Sequence, residues 1–184
     1  QDLAIGHAAL FWLFERALWD ELFSDEIEKH HLAVPWTFLQ RQKLLLVLGG
    51  NAKYDWIDNV QTPETETMHD VVQAALQQAW EQGVKKFGED SSKWTFGEEL
   101  HFLTFPHHLE EVPVLGEKFT RGPYALSGSA ATVCAFGGTS SNWKKVAWGP
   151  SMRAVWDTAD WDQSRAIIPG GQGGHFADPH YDDQ

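Results

Sequence analysis

Apolar residues recur at helical spacing through the first half of the chain. The stretch from Leu3 to Phe23 predicts an amphipathic helix of about five turns. Its apolar residues recur at every fourth position: Leu10, Phe14, Leu18 and Leu22. A second helix is predicted from Pro35 to Leu48, because proline fits a first helical turn and Gly49 and Gly50 fit a C-terminal cap. This second helix is apolar enough to be largely buried.

A third helix is predicted to begin near Thr67, whose hydroxyl can cap free backbone N–H groups, and to end by Gly88. One apolar stripe follows Met68, Val72, Leu76 and Trp80, with Val71, Ala75 and Ala79 beside it. Three helices therefore fill the first half of the chain.

After Gly88 the helical periodicity ends and short apolar runs alternate with turn residues. Three strands are predicted, over Ala131 to Phe136, Met152 to Asp157 and Arg165 to Ile168. The last two flank a polar loop and form an antiparallel hairpin. The pattern predicts an α+β fold, with a helical subdomain over residues 1–90 and a strand- and loop-rich segment over residues 91–184.

Charge and composition narrow the class of protein. The formal net charge is −12, which argues against nucleic acid as a partner, because a phosphate backbone requires a positive surface. No apolar run approaches the roughly 20 residues of a membrane span, so no membrane partner is expected. The chain also carries 10 Trp and 11 Phe, more than a compact domain of this size needs. This aromatic excess is the feature of the composition that needs an explanation.

The C-terminal loop contains the densest group of polar residues. His175, Asp178 and His180 offer imidazole and carboxylate ligands of the kind that zinc binds, and a metal-dependent hydrolase is one interpretation. Their spacing matches no helical ligand pair, and the surrounding glycines favour a structural turn with capping side chains. The adjacent pairs His30-His31 and His107-His108 diverge on any regular backbone and are expected to be solvated or packed.

Two further positions bear on catalysis. The single cysteine, Cys134, can make neither an internal disulfide nor a multi-thiolate metal site. It therefore does not indicate whether the protein works in an oxidising or a reducing compartment. Asp157 ends a strand predicted to be buried, where a carboxylate can orient a base or pair with an arginine. The alternative is that Asp157 only initiates the turn before Thr158. No G-x-S-x-G motif is present, and spacing alone identifies no nucleophile.

Long ordered blocks of the sequence resemble the penicillin acylase family. The C-terminal blocks are W-G-P-S-M-R within Trp148 to Asp157, then Ser164 to Gly174, then D-P-H-Y-D-D-Q over Asp178 to Gln184. Trp94 to Leu109 resembles the family's W-G-x-L-H block, and Gly122 to Gly128 its G-P-x-x-L-x-G segment. The resemblance covers almost the entire chain and corresponds to the C-terminal part of the family's β chain.

The resemblance implies an N-terminal nucleophile hydrolase with an αββα sandwich, whose precursor cuts itself into α and β chains. A serine at the new N-terminus attacks an amide carbonyl, its own α-amine acts as base, and an asparagine with a backbone N–H forms the oxyanion hole. Gln1 cannot act as this nucleophile, and the family's nucleophile and oxyanion groups match segments upstream. The expected function is therefore that of a fragment, inactive alone, of an enzyme that hydrolyses an N-acyl amide.

The resemblance also implies the surroundings of this segment. Its partners would be the remainder of the β chain, the α chain of the same precursor and a small N-acyl amide, in the periplasm or outside the cell. No cofactor is implied here, since the calcium of some family members is bound by residues that match upstream segments. Asp157 matches an acidic residue that supports the catalytic group or an arginine behind the site, and it is the candidate site residue.

A binding module is the alternative from another class. Exposed tryptophans with acidic neighbours, as in Trp156-Asp157 and Asp160-Trp161-Asp162, suit stacking on a carbohydrate or contact with a protein. Tryptophans packed in a core or against another subdomain would explain the same residues.

Overall fold

The computed structural model describes residues 6–29, 37–53, 55–105, 107–129, 132, 134–138 and 145–182, with only the backbone for 37–41 and 98. The helices are α1 Gly6–Lys29, α2 Thr37–Leu48, α3 Met68–Phe87, α4 Gly97–Leu100 and α5 Leu115–Phe119. The strands are β1 Phe102–Phe105, β2 Arg121–Ala125, β3 Gly137–Gly138, β4 Lys145–Trp148, β5 Arg153–Val155 and β6 Arg165–Ile167. The α+β prediction agrees with these elements.

The helical core forms mainly between α1 and α3. Thr67 caps α3 as predicted: its hydroxyl accepts a hydrogen bond from the Asp70 backbone N–H, while the Asp70 carboxylate accepts one from the Thr67 N–H. Helix α3 ends at Gly88, whose φ of 89° suits glycine. Helix α1 is longer than predicted and continues past Phe23 to Lys29. The periodicity therefore located the helices correctly and misplaced one end.

The buried face of α3 differs from the predicted stripe. Leu76 and Trp80 are 46% and 44% exposed. The buried positions lie one residue earlier in each turn, at Val71, Ala75, Ala79 and Gly83. Small side chains on this line let α1 and α3 approach closely, and that close approach buries the larger apolar residues of α1.

The prediction that the second helix is largely buried is wrong. Leu44 and Val47 are buried, but Leu45, Leu46 and Leu48 are between 44% and 68% exposed. Among the residues described, α2 covers the core with one narrow edge and leaves its broad apolar face to solvent. Pro35 and Trp36, where this helix was predicted to begin, lie outside the described residues.

Residues beyond position 90 enter the same core as the helices. Trp94 and Leu100 are fully buried, and Phe96 packs edge-on against Trp12 of α1, with ring centroids 5.3 Å apart. The indole N–H of Trp94 donates to the Gly88 carbonyl at 2.8 Å. The division into domains at residue 90 stays a prediction.

A four-stranded sheet follows, in the order β2-β1-β4-β3. Strand β1 pairs antiparallel with β2 and parallel with β4, and β3 pairs antiparallel with β4. The predicted strand over Ala131 to Phe136 is wrong at its described residues, because the Thr132 hydroxyl bonds the Ser129 N–H and the Ser129 and Cys134 carbonyls and so closes a turn.

Strands β5 and β6 form the predicted hairpin, with Arg153 opposite Ile167 and Val155 opposite Arg165. The expectation that its first strand is buried is wrong, since Val155 is 73% exposed and Trp156 is 66% exposed. The two strands form a sheet of their own, and a lone two-stranded sheet is marginally stable. Among the described helices, none has the length and apolarity needed to cross a bilayer.

Candidate functional site

A cleft of about 560 Å³ lies along one face of β1 and β4 and is closed on one side by the C-terminal loop. Its walls are largely apolar: Leu103, Phe105, Leu126, Phe136, Val146 and Trp148. Lys145, Ser151, Arg153 and Asp182 add polar groups to the lining. This volume and this mixture of groups are typical of sites for small organic ligands.

Glycines allow the aromatic walls of this cleft to form. The Trp148 indole packs on Gly137 of the neighbouring strand β3, and the Phe136 ring packs on Gly149. Each ring lies so close to its glycine that a Cβ atom would clash with it. Both aromatic side chains are thereby held at the cleft wall by the backbone of adjacent strands.

Arg121 of β2 fastens the C-terminal loop that borders the cleft. Its guanidinium donates to the carbonyls of Gly170 and Tyr181, the latter at 2.7 Å, and lies 4.2 Å from the centroid of the Tyr181 ring. The Tyr124 hydroxyl donates to the Asp182 carboxylate nearby. A planar guanidinium can bind two carbonyls and stack on a ring at the same time. The ammonium group of a lysine could not make all of these contacts.

Asp157 lies on the hairpin, just after β5, and is half-buried. Its Oδ1 accepts hydrogen bonds from the backbone N–H groups of Ala159, at 2.9 Å, and Asp160, at 3.1 Å. The Asp157 N–H donates to the Ser164 hydroxyl across the hairpin. In this chain the carboxylate organises the turn and is absent from the lining of the cleft. Its support of a catalytic group stays a prediction.

The histidines of the C-terminal loop take part in its turns, His175 as an acceptor and His180 through its backbone N–H. His175 Nδ1 accepts from the Ala177 N–H, and the Asp178 carboxylate accepts from the His180 N–H. His107 stacks on Phe119 with centroids 4.6 Å apart. Within the described part of the chain, no three histidine, cysteine or carboxylate side chains are arranged to hold a metal ion. Cys134 is exposed, and the pair His30-His31 lies outside the described residues.

Two carboxyl groups at the end of α1 have an unusual environment. Asp25 is buried, and its Oδ2 accepts the Val60 N–H at 2.8 Å, which ties the loop before α3 to α1. Partial burial, together with the hydrogen bond and the charge of Asp25, raises the pKa of the neighbouring Glu26 to about 7. Glu26 is therefore partly protonated at neutral pH.

Sequence reasoning assigned no role to His101 or Arg121. His101 is fully buried, and Arg121 holds the loop beside the cleft. The signal that could have identified them is their position: His101 ends the W-G-x-L-H block, and Arg121 directly precedes the G-P-x-x-L-x-G segment.

Comparisons with known proteins support the family resemblance of the sequence blocks. The model of the family described as penicillin amidase matches residues 2–184 of this chain. The Penicillin acylase 2 proenzyme of Pseudomonas sp. (strain SE83) is 34% identical over 90 residues. That alignment covers 48% of this chain and 12% of the relative, so the matched stretch is a small part of the relative's length.

Proposed function

The chain belongs to the penicillin amidase family, and from this premise we propose that the full-length protein containing it is an amidohydrolase that cleaves an N-acyl amide. The substrate would be of the penicillin, cephalosporin or acyl-homoserine-lactone type. The family match over residues 2–184 is the observation that carries this proposal. The similarity to a proenzyme supports a precursor that is processed into more than one chain.

In this proposal the chain is the C-terminal part of the β chain and contributes strands to an N-terminal nucleophile αββα sandwich. The serine nucleophile and its oxyanion groups come from upstream sequence after autocatalytic processing. The serine oxygen bonds to the amide carbonyl carbon, the C–N bond breaks as the amine leaves with a proton, and water releases the acid. Calcium, where the full-length protein binds it, would also use upstream residues, and the enzyme would work in the periplasm or outside the cell.

The surface of the hairpin supports a role inside a larger assembly. Met152, Val155, Trp156, Trp161 and Ile168 are all at least 50% exposed, which places five large apolar side chains on and beside one small sheet. Such a patch is typical of a surface that another part of the protein covers. The remainder of the β chain and the α chain are the partners that the proposal assigns to it.

Hydrolysis of chromogenic phenylacetyl and fatty-acyl anilides tests the proposal. The purified full-length precursor should release the coloured aniline, whereas the 184-residue chain, verified by mass to contain no upstream sequence, should release none. A processed, correctly folded full-length protein that hydrolyses no member of an N-acyl amide panel would refute the proposed activity. Turnover by the chain alone would refute the assignment of the nucleophile to upstream sequence.

A non-catalytic carbohydrate- or protein-binding module is the second candidate, and the exposure of Trp156 and Trp161, at 66% and 67%, favours it. Titration of tryptophan fluorescence with oligosaccharides tests this candidate. A saturable change that Trp156→Phe abolishes and Trp80→Phe preserves would support carbohydrate binding. A spectrum that does not respond to any oligosaccharide would remove carbohydrate binding from this candidate.

A further inference from the structure

His101 lies where the helical core meets the four-stranded sheet. It follows α4 directly, immediately precedes β1, and is 0% exposed. Its backbone carbonyl accepts the Leu126 N–H at 3.0 Å, just past the end of β2. The ring stacks on Phe96, with centroids 5.3 Å apart, and lies 5.1 Å from the Trp12 ring of α1. One residue therefore contacts α1, α4 and the end of β2.

The two ring nitrogens of His101 have different surroundings. Nδ1 lies 3.4 Å from the Leu126 carbonyl oxygen, which places the proton of the neutral ring on Nδ1. Nε2 is buried and has no hydrogen-bond partner among the described residues. The cavity is thus suited to the neutral ring, with one nitrogen near a carbonyl oxygen and the other buried without an acceptor among the described residues.

Three of the positively charged groups on α1, α3 and β2 have partners of their own. Arg16 of α1 pairs with Asp20 at 3.0 Å, and Lys86 of α3 pairs with Glu99 of α4 at 2.7 Å. Arg121 of β2 binds the carbonyls of the C-terminal loop. Burial lowers the pKa of His101, and the Leu126 carbonyl opposes this in part, with no contribution from a charged side chain.

We propose that His101 is an acid-sensitive joint: the helical core and the sheet stay connected while its ring is neutral, and protonation of the ring separates them. The imidazolium would place an N–H donor at Nε2, where the described residues provide no acceptor. The faces of Trp12 and Phe96 attract a cation by about 0.5–2 kcal/mol. An ion buried without a charged partner costs more than that, so the ring must leave its cavity to keep the proton.

The direction of the pH effect follows from linkage. The pKa of His101 is lower in the folded chain than the ordinary value of about 6.5. The joined state therefore binds fewer protons than the opened state, and its stability is complete above about pH 6.5 and is lost as the pH falls below that value. The proposal does not depend on amide hydrolysis, so it can fail while the proposed function stands.

Hydrogen exchange of the Leu126 amide measures opening of this joint directly. In the full chain, the opening equilibrium, corrected for the intrinsic exchange rate at each pH, should rise about tenfold between pH 7.5 and pH 5.5. In His101→Phe, which keeps an aromatic ring and cannot be protonated, the opening equilibrium should not change over that range. The Gly88 amide, bonded to the Val84 carbonyl within the helical part, is the internal reference and should not follow the Leu126 amide.

The control variant is His69→Gln, which removes an exposed histidine from α3 and should retain the tenfold rise. The same rise in His101→Phe as in the unmodified chain would overturn the proposal. Histidine NMR of the unmodified chain gives a second test that requires no variant. A His101 ring that titrates near pH 6.5 while the Leu126 amide stays protected would show that the charged ring is accommodated, and would also overturn the proposal.

Discussion

The indole ring of Trp94 packs directly on Gly83 of α3, so closely that a Cβ atom at position 83 would overlap it. The Trp94 ring also lies 5.2 Å from that of Trp80 and 5.8 Å from that of Phe87, both on α3. The contact explains why a glycine stands in the last turns of a helix. It joins the segment after α3 to the helical core.

Gly83→Ala should destabilise the chain although alanine is the better helix former. The methyl group displaces Trp94, and overpacking of this kind costs about 1–3 kcal/mol, more than the roughly 1 kcal/mol gained in helix propensity. Urea unfolding measures the difference. Gln82→Ala, at an exposed neighbouring position, should change the unfolding free energy by less than about 0.5 kcal/mol. A more stable Gly83→Ala variant would contradict the packing described.

Arg121→Lys should loosen the C-terminal loop. Lysine keeps the charge but cannot bind two carbonyls while stacking on Tyr181, and we expect a loss of about 1–2 kcal/mol. Hydrogen exchange should accelerate at the amides of Gln172 and Gly173, which donate to the His180 carbonyl within this loop. Arg165→Lys on the exposed hairpin is the control. Unchanged exchange in the Arg121 variant would mean that the loop is held by other contacts.

Glu26→Gln should change how stability depends on pH. Since the pKa of Glu26 is about 7 in the folded chain and about 4.5 when unfolded, the folded state favours the protonated carboxyl, and stability falls as the pH rises from 4.5 to 7. The loss should be of the order of 1 kcal/mol, because solvent screens this partly exposed group. Urea unfolding at pH 5 and pH 8 should show that Glu26→Gln removes it.

Glu28→Gln, at an exposed position of the same helix, should keep the pH profile of the unmodified chain. If the unfolding free energies of the unmodified chain and of Glu26→Gln change with pH in the same way, the raised pKa of Glu26 is not the cause of the pH dependence. This effect has the opposite direction to that of His101, so the two contributions to stability oppose each other as the pH falls below about 6.5.

Helices were predictable because each carries its own signal. The capping box at Thr67 and Asp70 and the apolar periodicity of α3 lie within one segment, so local sequence was sufficient. The buried face was not predictable from hydrophobicity. Ala75, Ala79 and Gly83 are buried because α1 and Trp94 need close approach, and this depends on partners far along the chain.

The sheet shows the limit of sequence reasoning more clearly. Strand β2 has five residues and contains a Gly-Pro pair, and strand β4 has four residues and begins at Lys145. Neither is long enough to show the alternation of apolar and polar residues that identifies a strand in a sequence. Their pairing with β1 is set by tertiary contacts. For the same reason the cleft, Arg121 and His101 were not predicted as a group, although the blocks that contain them were recognised.

We propose that in the full-length protein Asp157, besides organising its turn, supplies a supporting carboxylate to the amide-hydrolysing site, while the nucleophile comes from upstream sequence. The most direct measurement is the turnover of a phenylacetyl anilide by full-length protein carrying Asp157→Asn. Asparagine oxygen can still accept the Ala159 and Asp160 N–H bonds, so the melting temperature should barely change. Asp160→Asn, which likewise keeps its bond from the Asp162 N–H, is the matched control. We expect a kcat about a hundredfold lower for Asp157→Asn and near normal for Asp160→Asn; an unaltered kcat for Asp157→Asn would remove this carboxylate from the catalytic site.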